Sequence, residues 1–190
     1  LHSAKQVSTL DQIKGMKLRI GGGVAGDVGT ALGATGIRVP APKVYETLAS
    51  KAADGVMMPY EGKKSFKLNE VAQHTYEVPG GFYRGSFAII MNQDQFDSLS
   101  AKDQKALGSE FSEAVAKMAG SIWDQIDAGG RAAGAKTDGN TSTMAAEADA
   151  KVWNKMTMPI IDNVLAEVTK AGIDAAAVRT YIGNEMKTYK

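Results

Sequence analysis

Two rhythms of apolar and polar positions run through the chain from Lys14 to Pro59. Met16, Leu18 and Ile20 alternate with Lys17 and Arg19, a period of two that predicts a short strand with two faces. Gly21-Gly22-Gly23 follows and feeds a short helix that runs to Leu32 and ends at Gly33 or Gly36. Ile37 to Val39 reads as a second strand, stopped by Pro40. Pro42 starts a helix at its favoured first position, with Val44, Leu48 and Ala52 on one face, Gly55 as its cap, and Val56-Met57-Met58 as a third strand. Short apolar strands separated by helices predict an α/β fold, a parallel-rich sheet of βαβ units flanked by helices.

Beyond Pro59 the rhythm lengthens. Glu61 to His74 predicts a helix around Phe66, Leu68 and Val71, with His74 an ordinary partly exposed residue at its end. Tyr76 to Pro79 is extended, and Ser86 to Asn92, rich in aromatic and branched residues, reads as a strand. Ser100 to Asp103 is a helix start. Leu107, Phe111, Val115, Met118, Ile122 and Ile126 then recur at spacings of three and four, a long amphipathic helix reaching Gly129-Gly130 or a little further. Gly134 to Ser142 is a loop by composition. Met144 to Lys170 is helical, with Trp153, Met156, Ile160, Val164 and Val168 on one face and Pro159 expected to kink or split it. Gly172 caps it, and Asp174 opens a last helix through Val178, Tyr181, Ile182 and Met186. Trp123 and Trp153 both read as core residues.

Composition narrows the function classes. At 190 residues the chain suffices for one domain with a real core or two small lobes. A formal net charge of +1 gives no global attraction to nucleic acid or to an anionic membrane. The absence of cysteine excludes thiolate zinc sites, iron–sulfur clusters and disulfides. The longest apolar run, Phe87 to Met91, is too short to insert in a membrane. His2 and His74 are the sole histidines, and no acidic cluster has ligand spacing, so no metal site and no metal cofactor is expected. Leu1-His2-Ser3-Ala4-Lys5 lacks the pattern of a signal peptide and reads as the middle of a longer protein.

Two stretches carry candidate chemistry. Arg19 falls near the carboxyl end of the first strand, where ligands bind in open α/β sheets, and its planar fork fits a carboxylate. An arginine there is also compatible with a plain surface or salt-bridged role. Gly21 to Gly26 matches the dinucleotide fingerprint literally. That fingerprint also wants an acidic residue at the end of the second strand, which here ends Arg38-Val39-Pro40, while Glu46 falls within the predicted helix. A nucleotide-dependent α/β enzyme using Gly21 to Gly26 is therefore the alternative function. The second stretch, Phe82-Tyr83-Arg84, sets two aromatics and a cation beside a Gly-Gly pair, the ingredients of a small-anion pocket.

The order Arg19, Leu32-Gly33-Ala34, Val39-Pro40, Lys43-Val44-Tyr45-Glu46-Thr47-Leu48 and Asp54-Gly55 resembles the solute-binding proteins of TRAP transporters (tripartite ATP-independent periplasmic transporters) of the dicarboxylate-binding DctP type. The resemblance continues through Pro79 to Phe87 and Met91-Asn92 and weakens after about Lys136. It implies a periplasmic-binding-protein-like, type II-like two-lobe fold with long C-terminal helices. Residues 1–92 would be mainly a second-lobe α/β unit ending in a hinge-crossing strand, and residues 93–190 a helical region packing across both lobes. The first lobe would be largely absent from this chain. The implied function is a non-enzymatic, monomeric periplasmic receptor, without cofactor, that binds a small carboxylate and delivers it to a membrane permease. The residues implied at the ligand are Arg19, Phe82, Tyr83, Arg84, Ala41, Met57 and Glu61. Many members carry a polar residue, often Asn, where Arg84 stands. The arginine either binds a second carboxylate of a diacid or pairs with Glu61, leaving Arg19 alone with a monocarboxylate. Val56-Met57-Met58-Pro59 replaces a glutamate and a polar residue, so the floor is more apolar than usual. Ala41 replaces an aromatic of some members and leaves room.

Overall fold

The structure, a computed structural model, describes residues 1–110 and 112–188. Its elements are β1 (His2–Ser3), β2 (Lys17–Ile20), α1 (Val24–Ala31), β3 (Thr35–Arg38), α2 (Val44–Ala49), β4 (Gly55–Val56), α3 (Gly62–Ser65), α4 (Leu68–Val71) and β5 (His74–Glu77). The chain continues through α5 (Gln93–Asp97), α6 (Ala101–Lys105), α7 (Ser112–Lys136), β6 (Thr141–Met144), α8 (Glu147–Lys170) and α9 (Ala175–Thr188). The described strands form one six-stranded sheet in the order β3-β2-β4-β1-β5-β6. β2 is parallel to both β3 and β4, β5 is parallel to β6, and β1 runs antiparallel between β4 and β5. The parallel-rich α/β sheet with long C-terminal helices is thus present.

Apolar side chains cover both faces of this sheet. Leu18 and Ile20, two residues apart in β2, join Val28 and Leu32 of the α1 region and Trp153 of α8 in one core. Val56 joins Val44 and Leu48 of α2 and Leu68 of α4 in a second. The apolar positions of the alternation in β2 all enter the first core, with Arg19 between two of them, while β4 turns Val56 to the second core and the next residue, Met57, enters the first.

Several expectations give way to packing. The helix from Pro42 starts as a 3-10 turn (Ala41–Lys43) and ends at Ala49. Ala52 is exposed, and Ala53 is the residue that enters the core. Gly55 is not a cap. It lies in β4, where an added Cβ would sit 2.7 Å from the His2 carbonyl oxygen, so its small size lets β1 pair closely. The Glu61–His74 helix is two short helices, separated at Lys67, whose φ of 52° breaks the α-helical path. His74 sits in a strand, with Nδ1 2.8 Å from Thr141 Oγ1.

Ser86 to Asn92 forms no strand, because among the described residues no neighbouring strand lies alongside to complete a ladder. The long helix reaches past Gly129-Gly130, as far as Lys136, and the expected 134–142 loop gives up its first residues to α7 and its last to β6. Of the residues placed on that helix, Phe111 lies outside the described residues. Residues 147–170 form one helix that contains Pro159 and is not split by it. The ends of α6, α8 and α9 follow expectation: Ser100 Oγ accepts from Asp103 N at 3.2 Å, Gly172 has φ of 80°, and Asp174 Oδ1 accepts from Ala177 N at 2.9 Å.

Candidate functional site

The chain leaves β2 towards β3 on one side and returns to β4 on the other, so its connections reverse direction at the carboxyl end of β2. Such a point opens a crevice between flanking loops and is where open α/β sheets bind ligands. Arg19 sits there, 8% exposed. Its Nε donates to the Val39 carbonyl oxygen at 3.0 Å, beyond the end of β3. Among the described residues no carboxylate pairs with it. Burial pushes its guanidinium down from the ordinary arginine range, and the nearby Tyr83 hydroxyl pushes it back. A buried cation with a fixed Nε and no counter-ion is a ready anchor for an anion.

Tyr83 is half-buried beside it, its hydroxyl 3.4 Å from the Met57 carbonyl oxygen, and burial raises its pKa. Met57 N in turn donates to Arg19 O at 3.0 Å. Met57 and Tyr83 line an open cavity of about 1020 Å³, which Arg19 itself does not line. Trp123, Asp124, Asp127 and Arg131 of α7 also line it. Phe87 stacks on Trp123 with ring centroids 4.9 Å apart and planes at 11°.

The carboxyl-terminal half of α7 is clamped by a polar network under this cavity. Arg131 bonds Glu77 of β5 through both terminal nitrogens, Nη1 at 3.3 Å and Nη2 at 3.0 Å, and lies 3.6 Å over the Tyr60 ring. Tyr60 and Ser142 also donate to Glu77. Burial pushes the Glu77 carboxyl up, but the bonds from Arg131, Tyr60 and Ser142 outweigh it and hold it below the usual carboxylate range. Burial, reinforced by that bond to Glu77, pushes Tyr60 up to about 12. Asp127 Oδ1 accepts from Glu61 N at 2.8 Å. Gly130 brings α7 against the Tyr60–Glu61 backbone, where a Cβ would stand 2.0 Å from the Tyr60 carbonyl oxygen. Lys63, buried beneath α7, donates from Nζ to the carbonyls of Ala72 and Gln73 at 2.5 and 3.1 Å and to Asn140 Oδ1 at 3.1 Å.

The structure brings together Arg19, Tyr83 and Met57 of the expected ligand residues. Ala41 is half-buried in the turn after β3, beyond the Val39 carbonyl that Arg19 holds. Phe82 borders the cavity, but its ring is packed in the core, 5.0 Å from Trp153 and 6.2 Å from Tyr76. Arg84 also borders the cavity, is exposed, and points its Nη1 at Met186 Sδ of α9, 3.6 Å away. The pairing of Arg84 with Glu61 does not form: Glu61 is buried, and its backbone is taken by Asp127. The glycine run lies between β2 and α1 as expected, yet β3 ends without an acidic residue and Glu46 is exposed on α2. Trp123 is not a core residue; it is half-buried on the cavity wall. The clamp on α7 was not anticipated. Its one sequence signal is the polar series Asp124, Asp127, Arg131 at helical spacing beside the apolar stripe. Among the described residues no group of His, Cys, Asp or Glu is placed to hold a metal ion, and no helix is long and apolar enough to cross a membrane.

A mixed α/β sheet with a buried arginine at its switch point, unpaired by any carboxylate among the described residues, has the chemistry that suits an anion. Residues 1–167 match the family described as bacterial extracellular solute-binding protein, family 7 (DctP), and the chain belongs to that family, the solute-binding proteins of TRAP transporters. A periplasmic TRAP solute-binding protein of Bordetella bronchiseptica, solved with bound (R)- and (S)-mandelate, is 34% identical with a TM-score of 0.92. The match covers 100% of this chain and 60% of that one. A TRAP solute-binding protein of Rhodoferax ferrireducens with copurified benzoate shares the fold at 21% identity, with a TM-score of 0.83 over 100% of this chain and 61% of that one. Among curated proteins, the outer membrane transporter protein TsaT of Comamonas testosteroni is 26% identical over 169 residues, 88% of this chain and 49% of TsaT. The chain thus spans about half the length of that curated relative.

Proposed function

We propose that the chain is part of a periplasmic receptor that captures a small organic acid and delivers it to a TRAP permease. The observation that carries this is Arg19: buried, fixed by Val39, without a carboxylate partner, at the switch point of the sheet. Its free nitrogens receive the ligand carboxylate as a bidentate pair, with Tyr83 beside it and Met57 beneath. Ala41 leaves room at the edge, and Arg84, Phe82 and Glu61 shape the surroundings. The bound carboxylates of the Bordetella and Rhodoferax proteins support this ligand chemistry. Residues 1–92 form mainly one lobe of the receptor, and residues 93–190 pack across it and a second. Capture involves no chemical step.

The test is ligand binding by the full-length gene product, read by calorimetry against a panel of organic acids. Arg19→Ala is expected to weaken binding by about 2–5 kcal/mol, because a desolvated carboxylate loses its partner. Far-ultraviolet dichroism should stay unchanged. An Arg19→Ala protein that binds its acid as tightly as the parent, or a parent that binds only nucleotides, contradicts the proposal.

A further inference from the structure

We infer that Val39 and Pro40 are positioning residues for the anchor: the Val39 carbonyl holds Arg19 Nε, Pro40 holds that carbonyl, and Nη1 and Nη2 are left to take a carboxylate end-on. This rests on the receptor reading above and names what orients its arginine. Arg19 is in register with Ile37 of β3 and with Val56 of β4. Side-by-side residues of a ladder face the same way, so the arginine stem rises between these two. Val56 belongs to the second core and Ile37 packs against it, so the stem is walled on both sides. A side chain held only at its base still turns about its outer dihedrals. The bond from Nε to the Val39 carbonyl oxygen, 3.0 Å long and two residues beyond Ile37, stops that rotation.

A guanidinium grips a carboxylate as a fork, either end-on through both terminal nitrogens or side-on through Nε and one of them. With its N–H given to Val39, Nε is closed to the side-on grip. The acceptor itself sits on a stiff stretch. A residue before proline is confined to extended backbone, because the proline ring clashes with its N–H and Cβ in the helical region. The direction of the Val39 carbonyl is restricted in this way by Pro40. Pro40 stands at φ −62° and ψ 153°, and Lys43 N closes the following turn onto the Pro40 carbonyl oxygen at 3.0 Å. A flexible residue at position 40 would let the Val39 carbonyl swing, and each binding event would then have to immobilise the arginine anew.

The test is calorimetry on the full-length gene product with benzoate, phenylacetate, succinate and gluconate as probes, joined to the exchange rate of the Arg19 Nε–H proton by nuclear magnetic resonance. Arg19→Lys keeps the charge without the Nε, and identifies that proton's signal by its loss. Pro40→Gly is expected to weaken the acids that bind the parent by about three- to tenfold, the scale of ordering one long side chain on binding. Its Nε–H should exchange faster than the parent's. In the Arg19→Lys protein, Pro40→Gly should change affinity by less than about twofold, because the bond it loosens is already gone. Pro42→Gly removes a proline from the same turn but leaves Val39 ahead of Pro40, and should bind at the parental level. Pro40→Ala carries the same comparison if Pro40→Gly does not fold. If Arg19→Lys binds no acid measurably, the Pro42→Gly comparison and the proton exchange decide. Equal weakening by Pro40→Gly in both backgrounds, or equal weakening by Pro42→Gly, means that the turn acts without the arginine and overturns the inference. So does parental affinity in Pro40→Gly, or a parental Nε–H that exchanges as fast as that of an exposed arginine. A parent that binds none of these acids overturns the receptor reading, and this inference with it.

Discussion

The sheet and its two cores contrast with the stretch from Arg84 to Ile126. Both are apolar by pattern, yet Leu18 and Val56 are 0% exposed while Phe87 is 75% and Ile90 88% exposed. On β2 and β4 the apolar side chains are covered by residues of α1, α2, α4 and α8. Along α7 the stripe of Met118, Ile122 and Ile126 stays open, and beside it Phe87 stacks on Trp123. The boundary between the two regimes is the clamp at Asp127, Gly130 and Arg131. There α7 passes from open surface into tight contact with α3 and β5. An apolar period therefore reports that a face is to be covered, and only topology says what covers it. Contiguous exposed apolar side chains mark binding surfaces or contacts with further polypeptide.

The clamp gives the largest expected effect. A methyl on Gly130 meets backbone 2.0 Å away, which cannot swing aside as a side chain would, whereas a methyl on Gly129 meets nothing within 4 Å. Gly130→Ala should cost on the order of 3 kcal/mol. Gly129→Ala, one residue away in the same helix, should gain about 0.5–1 kcal/mol by removing a flexible residue from a helix interior. Urea midpoints of the two variants check this. If both move in the same direction, the clamp does not hold α7 in place.

That pair of glycines also shows where sequence reading stops. Gly129-Gly130 reads locally as a helix end, and no local signal says that Gly130 is small because Tyr60 lies against it. The β2–α1–β3 unit, Val44 and Leu48 on the α2 face and the caps at Ser100, Gly172 and Asp174 were legible because each depends on neighbours within a few residues. Arg19 was legible as a candidate because its position on β2 follows from alternation and the glycines after it. Its lack of a partner was not, since that depends on every acidic residue lying elsewhere. Ser86–Asn92 was misread for the same reason: strand propensity was present, and a partner strand was not among the described residues. Lys63, in a run of two lysines, is buried by α7 some seventy residues away in sequence, which nothing near it in the chain announces.

Lys63 supplies the intermediate effect. Burial lowers its ammonium from an ordinary 10.5 to about 8. Between those values the unfolded chain holds a proton that the folded one has released, so stability contributed at this site rises with pH. Below about 8 both states are charged, and the full cost of burying the ammonium is present. The stability of the parent relative to Lys63→Met, measured by urea unfolding, should therefore rise between pH 7.5 and 10. Subtracting the variant cancels the titration of all other groups to first order. A difference that stays flat or falls across this window means that Lys63 is solvated and the packing of α7 over α3 is looser than described.

The smallest expected effect probes the open region. Ile90→Ser exchanges an apolar side chain that is 88% exposed, with no core contact to lose. In this chain the change in unfolding free energy should stay within about 0.5 kcal/mol, as for surface substitutions generally. The same substitution in the full-length gene product separates two accounts of the open face. If further polypeptide covers Ile90 there, the lost transfer and packing terms raise the cost to at least about 2 kcal/mol. If Ile90 stays exposed, the small value persists and the patch is left for a binding partner. A large cost already in this chain would show that residues 86–92 pack as the sheet does, and the contrast between the two regions would collapse.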